Sequence, residues 1–221
     1  LVEMSPRKVY MNELAELDEL VTIMATKTSE AIELAVQSFE KLDRGLAEQV
    51  ARLDREMYDL NIDIEKRCLE IIALQSPVAK DLRTIGTYLK VITDFDRIGR
   101  YARDIAEVTE HCYDMAHFKP LVSIPHMARM AEEMVDLSVK AFLDRDTEPT
   151  KHVFELEDMV DSLYDEIFRE VITYMMEDSK KITPGINYTL VARYLERIGD
   201  HACNISERVI YMVTGERVIK E

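Results

Sequence analysis

Two acidic ladders hold the residues most able to do chemistry in this chain. Glu196, Asp200 and Asn204 recur at i, i+4 and i+8, and Glu157, Asp161 and Asp165 have the same spacing. On a helix this spacing stacks the oxygen-bearing side chains along one face. Two antiparallel helices with such ladders can bring four or more carboxylates together. Packed carboxylates repel unless they are protonated, paired or metal-bound. A hard or borderline cation (iron, zinc, manganese or magnesium) suits an oxygen-only ligand set. In a chain with 32% charged residues, one ladder alone reads as a solvated helix face. Two ladders in one repeat set a metal site beside the solvated-face reading.

The other constellations are weaker. His201 follows Asp200 and faces about 100° away from it on a helix, as a surface or outer group. A carboxylate-bridged di-iron bundle needs Glu-x-x-His on two helices. The five histidines supply none, and the nearest approach is Asp114-x-x-His117 in a connecting segment. The chain has no phosphate-binding loop, dinucleotide-binding glycine pattern or nucleophile elbow. Met24, Met127, Met130 and Met134 lie at helical spacing and read as core filler.

Long helices must position the ladders. Six glycines and six prolines among 221 residues are too few for a turn-rich β fold. Between the breakers, Leu14, Leu17, Val21, Met24, Thr28, Ala31 and Ala35 advance in steps of three and four, as do Leu82, Ile85, Leu89, Ile92, Asp96 and Gly99. This is the seam of helices packed nearly parallel to their neighbours. The pattern predicts six helices, over residues 9–43, 45–75, 76–113, 123–145, 149–178 and 184–214. Pro77, Pro125 and Pro184 are expected at first helical positions, with Ser76 as an N-cap.

The two halves repeat one another. Asp96 to Glu107 aligns with Glu196 to Glu207 at an offset of 100, and Glu30 to Phe39 with Glu133 to Phe142 at 103. The expected architecture is all-α, with two tandem, pseudo-symmetric three-helix bundles over 1–113 and 125–221 joined by a linker at 114–124. The first repeat serves as an internal control for the ladders. Opposite Glu196 and Asp200 stand Asp96 and Arg100, and opposite Glu157 and Asp161 stand Asp54 and Tyr58. A one-residue shift would instead pair Asp59 and Asp63 with Asp161 and Asp165. Arg100 is the firmer departure, because a fixed cation repels a metal and can itself neutralise Asp96 or Asp104. The reading is therefore one metal site, in the second bundle, formed by Glu157, Asp161, Glu196 and Asp200 with Asn204 and Asp165 in support. Asp54, Asp96 and Asp104 are the weaker candidates of the first repeat.

Charge and cysteine usage narrow the partners. The net charge is -15, from 43 acidic and 28 basic residues. Residues 153–207 hold 12 acids and 5 bases, whereas 50–107 hold 11 and 10, so the excess gathers where the ladders are. This acidity argues against nucleic acid or an anionic lipid face as the main partner. No apolar run reaches the about 18–20 residues of a membrane span, and the first residues lack a signal peptide's apolar core. Three separated cysteines, Cys68, Cys112 and Cys203, make neither a disulfide framework nor a zinc pair. A cytoplasmic protein without membrane insertion is expected.

Ala192 to Glu207 (ARYLERIGDHACNISE) resembles the signature of the PhoU family. Thr173 to Ser179 (TYMMEDS) and Gln75 to Arg83 (QSPVAKDLR) resemble that family as well. The resemblance implies a pair of three-helix bundles with Glu/Asp-x-x-x-Asp motifs that hold iron or zinc clusters on the surface. On this chain the motif falls on Glu157/Asp161 and Glu196/Asp200, and the first bundle departs from it at Tyr58 and Arg100. The resemblance also implies negative regulation of phosphate uptake and of the phosphate-starvation response. It implies a non-catalytic link between the ATPase subunit of a phosphate ABC transporter and a sensor histidine kinase. The implied location is cytoplasmic or peripheral to the membrane, often as a homodimer. A metal-dependent phosphohydrolase and a metal-storage bundle are the alternatives.

Overall fold

The computed structural model describes residues 6–218. Six long helices account for most of them: α1 (Pro6–Lys41), α2 (Arg44–Gln75), α3 (Ala79–Cys112), α4 (Ser123–Asp144), α5 (Glu148–Glu177) and α6 (Ile182–Thr214). A single 3-10 turn, Ser179–Lys181, precedes α6. Helix α1 has 36 residues, a rod of about 54 Å. No strand occurs among the described residues, and no helix is long and apolar enough to cross a membrane.

Helices α1, α2 and α3 pack on one another, and so do α4, α5 and α6. The bundles join through α3 against α6 and α1 against α4. The predicted seam of α1 is buried from Leu17 through Val21, Met24, Thr28, Ala31 and Ala35, with Leu14 at its edge. Thr28 satisfies its hydroxyl within the helix by donating to the Met24 carbonyl at 2.8 Å. That bond lets a polar residue sit in an apolar seam without an unpaired group.

The helix ends differ from expectation between α2 and α3. Ser76 is not the N-cap of α3. It closes α2 in the left-handed region (φ 45°), and Pro77 lies outside both helices, with Val78 preceding α3. The reversal needs a residue with positive φ after Gln75, and the proline then prevents α2 from continuing. Pro125 and Pro184 do fall in first turns, but at third positions, where the amide is still unneeded by the helix. The N-cap of α2 is Asp43, whose Oδ1 accepts from the amides of Gly45 at 2.8 Å and Leu46 at 3.3 Å.

The pseudo-symmetry is visible in the packing. A Cβ at Gly99 would lie 2.7 Å from Met57 Cε, and one at Gly199 would lie 3.8 Å from Val160 Cγ1. Met57 and Val160 thus face equivalent glycines, which supports the 103-residue offset between α2 and α5. Asp54 is therefore the counterpart of Glu157, and the shifted alternative through Asp59 and Asp63 is set aside. The junction between bundles is built twice in the same way. Tyr88 of α3 packs edge-on against Phe142 of α4 at 4.9 Å, and Tyr188 of α6 against Phe39 of α1 at 5.4 Å. A basic side chain caps each helix end beside these rings. Arg145 donates to the Phe142 carbonyl and to Asp18 at 3.0 Å. His117 Nε2 lies 3.0 Å and 3.1 Å from the Phe39 and Glu40 carbonyls. Carbonyls only accept, so Nε2 carries a proton, and Nδ1 lies 2.9 Å from the Tyr188 hydroxyl, which donates to the Lys119 carbonyl at 3.2 Å.

Candidate metal-binding face

The ladders lie on α5 and α6, which pack against each other in the second bundle. The Glu196 side chain is largely enclosed, only 13% exposed. Asp200, one turn on, is 33% exposed. Both are held by arginines of the same helix. Arg193 pairs with Glu196, and Arg197 bridges Glu196 Oε2 at 3.8 Å and Asp200 Oδ2 at 2.8 Å. Glu196 Oε2 is buried and accepts no hydrogen bond. Burial pushes the Glu196 carboxyl above its ordinary range, Arg193 and Arg197 oppose this, and Asp200 and Asp161 add to it. Asp161 of α5 is thus close enough to Glu196 for the two charges to interact.

The remaining predicted residues divide. Glu157 is half-buried one turn before Asp161, and Asn204 is half-buried one turn after Asp200. Asp165 is exposed and turns to Arg169 at 3.6 Å. Among the described residues, no three His, Cys, Asp or Glu side chains already form a metal-ligating group. Among these acids one oxygen, Glu196 Oε2, is buried without a hydrogen bond. A buried carboxylate oxygen without a donor is unfavourable until a proton or cation reaches it. In that respect the residues of α5 and α6 fit a cation.

In the first bundle, Asp54 is almost fully buried. It faces two arginines, Arg100 Nε at 3.6 Å from Oδ1 and Arg103 Nη1 at 3.3 Å from Oδ2. Arg100 was expected beside Asp96 or Asp104, and its ion pair is with Asp54. Its charge still lowers the carboxyls of both Asp96 and Asp104, which burial raises. Arg103 was not anticipated. It lies three residues beyond Arg100 on the same face, and its counterpart at offset 100 is Cys203. Asp96 Oδ1, like Glu196 Oε2, is buried without a hydrogen bond. The repeats therefore share the under-bonded oxygen and differ in cation supply.

Sequence reasoning also missed the buried group that joins α3 to α6. Asp94 is 3% exposed. Its Oδ1 lies 2.9 Å from His201 Nδ1, and its Oδ2 accepts from Arg208 Nε at 2.7 Å. His201 thus turns to the other bundle and away from the acidic ladder. The available signal was Asp94 within an apolar stretch, but nothing in the sequence names its partners more than 100 residues away. The cysteines are buried, and burial with the neighbouring Glu65 pushes the Cys68 thiol up to about 12.

Comparison with known proteins agrees with this architecture. The sequence profile of the PhoU domain matches residues 21–109 and again 124–209. A phosphate-specific transport system accessory protein PhoU homolog of Aquifex aeolicus is 41% identical over 206 residues, 93% of each chain. The one of Clostridium acetobutylicum is 34% identical over 213 residues, 96% of this chain and 97% of its own. The crystal structure of PhoU from Pseudomonas aeruginosa superposes with a TM-score of 0.90 at 33% identity, covering 94% of this chain and 100% of that one. The phosphate transport system regulatory protein PhoU of Streptococcus pneumoniae, 24% identical, has the same fold at a TM-score of 0.87. With both repeats matched and similarity running through nearly the whole chain, the protein belongs to the PhoU family.

Proposed function

We propose that this protein is an accessory regulator of a phosphate-specific transport system. In this reading it is a non-catalytic adaptor that restrains phosphate uptake when phosphate is plentiful. The carrying observation is the full-length match to proteins named as accessory proteins of that system, on a fold shared with a PhoU crystal structure. Two stiff bundles locked at both ends of their junction suit an adaptor, because such a body presents fixed surfaces to two partners. The partners we assign are the transporter's ATPase subunit and a sensor histidine kinase. The location is the cytoplasmic side of the membrane, and the assembly a homodimer.

The second bundle is the part we assign to metal. Glu196, Asp200 and Asp161 would hold it, with Glu157, Asn204 and Asp165 at the margins. Iron, zinc, manganese or magnesium would each supply positive charge to this acidic face. In doing so the cation would take over the neutralising role of Arg193 and Arg197 and order α5 against α6.

The test of the adaptor is a pull-down with the purified protein from native lysate at high and low phosphate. Recovery of the transporter ATPase or the sensor kinase is expected at high phosphate. Failure under both conditions would count against the reading. Metal analysis of wild type against Glu196→Ala/Asp200→Ala addresses the site, with loss of bound metal expected in the variant. Equal metal in both would remove α6 from the assignment. Phosphate-ester turnover that tracks metal content would favour a phosphohydrolase instead.

A further inference from the structure

A cavity of about 690 Å³ lies away from the acidic ladders, where the first half of α3 meets the last turns of α6 and the residues after it. Its walls carry four cations, Arg83, Lys90, Arg208 and Arg217, against one carboxylate, Glu207. In a chain of net charge -15 this local excess runs against the composition. Arg208 is committed to Asp94. Arg83 is anchored through Nε to the Met212 carbonyl at 3.2 Å, which fixes the guanidinium. Arg83, Lys90 and Arg217 make no ion pair among the described residues.

Two further observations indicate that the cavity serves a ligand. Gly86 lines it, and a Cβ there would meet nothing within 4 Å. Packing therefore does not demand a glycine at this point, although glycine is disfavoured within a helix. Its effect is to leave space beside Arg83 and Lys90. The pseudo-symmetry supplies the second observation. At offset 100 the counterparts of Arg83, Gly86 and Lys90 are Thr183, Ile186 and Leu190, and that of Arg208 is Val108. The same corner of the other repeat thus has neutral side chains opposite Arg83, Lys90 and Arg208, with Glu107 opposite Glu207 and His117 opposite Arg217, so the architecture has no need of the first three cations.

We infer that this cavity binds a small ligand carrying two or more phosphate groups, held by Arg83, Lys90 and Arg217. The volume is in the range of small-molecule sites and exceeds what one oxyanion fills. Fixed guanidinium groups bind phosphate oxygens in pairs. Arg83 and Arg217 already lie over the adjoining Tyr211 ring, at 5.9 Å and 5.8 Å from its centroid. The ligand is therefore recognised by its charge and not by stacking. Because α3 and α6 belong to different bundles, the ligand would bridge them. This site is independent of the metal assignment.

The test is titration calorimetry of the metal-free full chain with inorganic pyrophosphate, ADP and orthophosphate. Pyrophosphate should bind, with orthophosphate weaker by about tenfold or more as charge-assisted contacts are lost. ADP binding more tightly than pyrophosphate would identify a nucleotide as the source, and equal affinity an inorganic one. Lys90→Glu, at an exposed position without an ion pair among the described residues, should weaken pyrophosphate by about tenfold or more. Gly86→Leu should do the same by filling the space. Lys66→Glu on α2 should change little. Absence of pyrophosphate binding to wild type, or equal weakening by Lys90→Glu and Lys66→Glu, would overturn the inference.

Discussion

Glu132 should make the protein less stable as pH rises through neutrality. It is half-buried on α4, the helix that packs against α1 across the bundle junction. Burial raises its carboxyl most, the charges of Glu33 on α1 and Asp136 on α4 raise it further, and Arg129 opposes them only in part. The result is a carboxyl pushed from the ordinary 4.5 to about 7. Between those values the folded chain holds a proton that the unfolded chain has lost. Stability is therefore full below about 4.5 and falls as pH rises toward about 7. At about 1.36 kcal/mol per pH unit the ceiling is about 3.4 kcal/mol. The carboxyl retains contact with water, and screening reduces the effect to about 1–2 kcal/mol. Glu132→Gln keeps the shape and removes the charge. Urea unfolding should find the variant more stable than wild type by about 1–2 kcal/mol at about pH 8, and little different at about pH 4.5. In melting temperature this is about 2–8 °C. A stability difference that is the same at both pH values, or a variant weaker at the higher one, would refute the reasoning.

Three other substitutions test the frame around the sites. Asp94→Ala strips His201 and Arg208 of a shared buried acceptor and should cost about 2–4 kcal/mol in urea unfolding. A cycle with Arg208→Gln should show strong coupling between the two positions, and additive losses would argue against the linked group. Arg100→Asp replaces a cation of the Asp54 pair with a third acid. It should destabilise the chelated protein by about 1–3 kcal/mol, and added zinc should restore the melting temperature if the first repeat then resembles the second. Gly99→Ala gains helix propensity, about 1 kcal/mol, but drives a methyl to 2.7 Å from Met57 Cε. The flexible methionine end can yield, so the net change in melting temperature should be small, whereas Gly99→Val should lower it clearly.

The helices were legible because their cause is local. Sparse breakers and steps of three and four along Leu17, Val21, Met24 and Thr28 determine a helix and its buried face without reference to anything distant. The duplication was legible for the same reason, since Asp96–Glu107 and Glu196–Glu207 match residue by residue. The ladders of Glu157/Asp161 and Glu196/Asp200 could be placed on helix faces from spacing alone. The turn at Ser76 could not be placed this way, because serine caps either end and the backbone path between α2 and α3 decides which.

Pairings across the fold were decided by tertiary structure alone. Asp94 meets His201 and Arg208 only because α3 of one bundle lies against α6 of the other. Arg100 chooses Asp54 over Asp96 because α2 presents a buried carboxylate at that level. The cationic cavity is likewise invisible in the acidic composition, since Arg83 and Lys90 are separated from Arg208 and Arg217 by more than 100 residues. Periodicity acts within about one or two turns and so specifies each rod and its faces. Charge pairing and cavity shape depend on which rods meet and at what height, which is set when both bundles close.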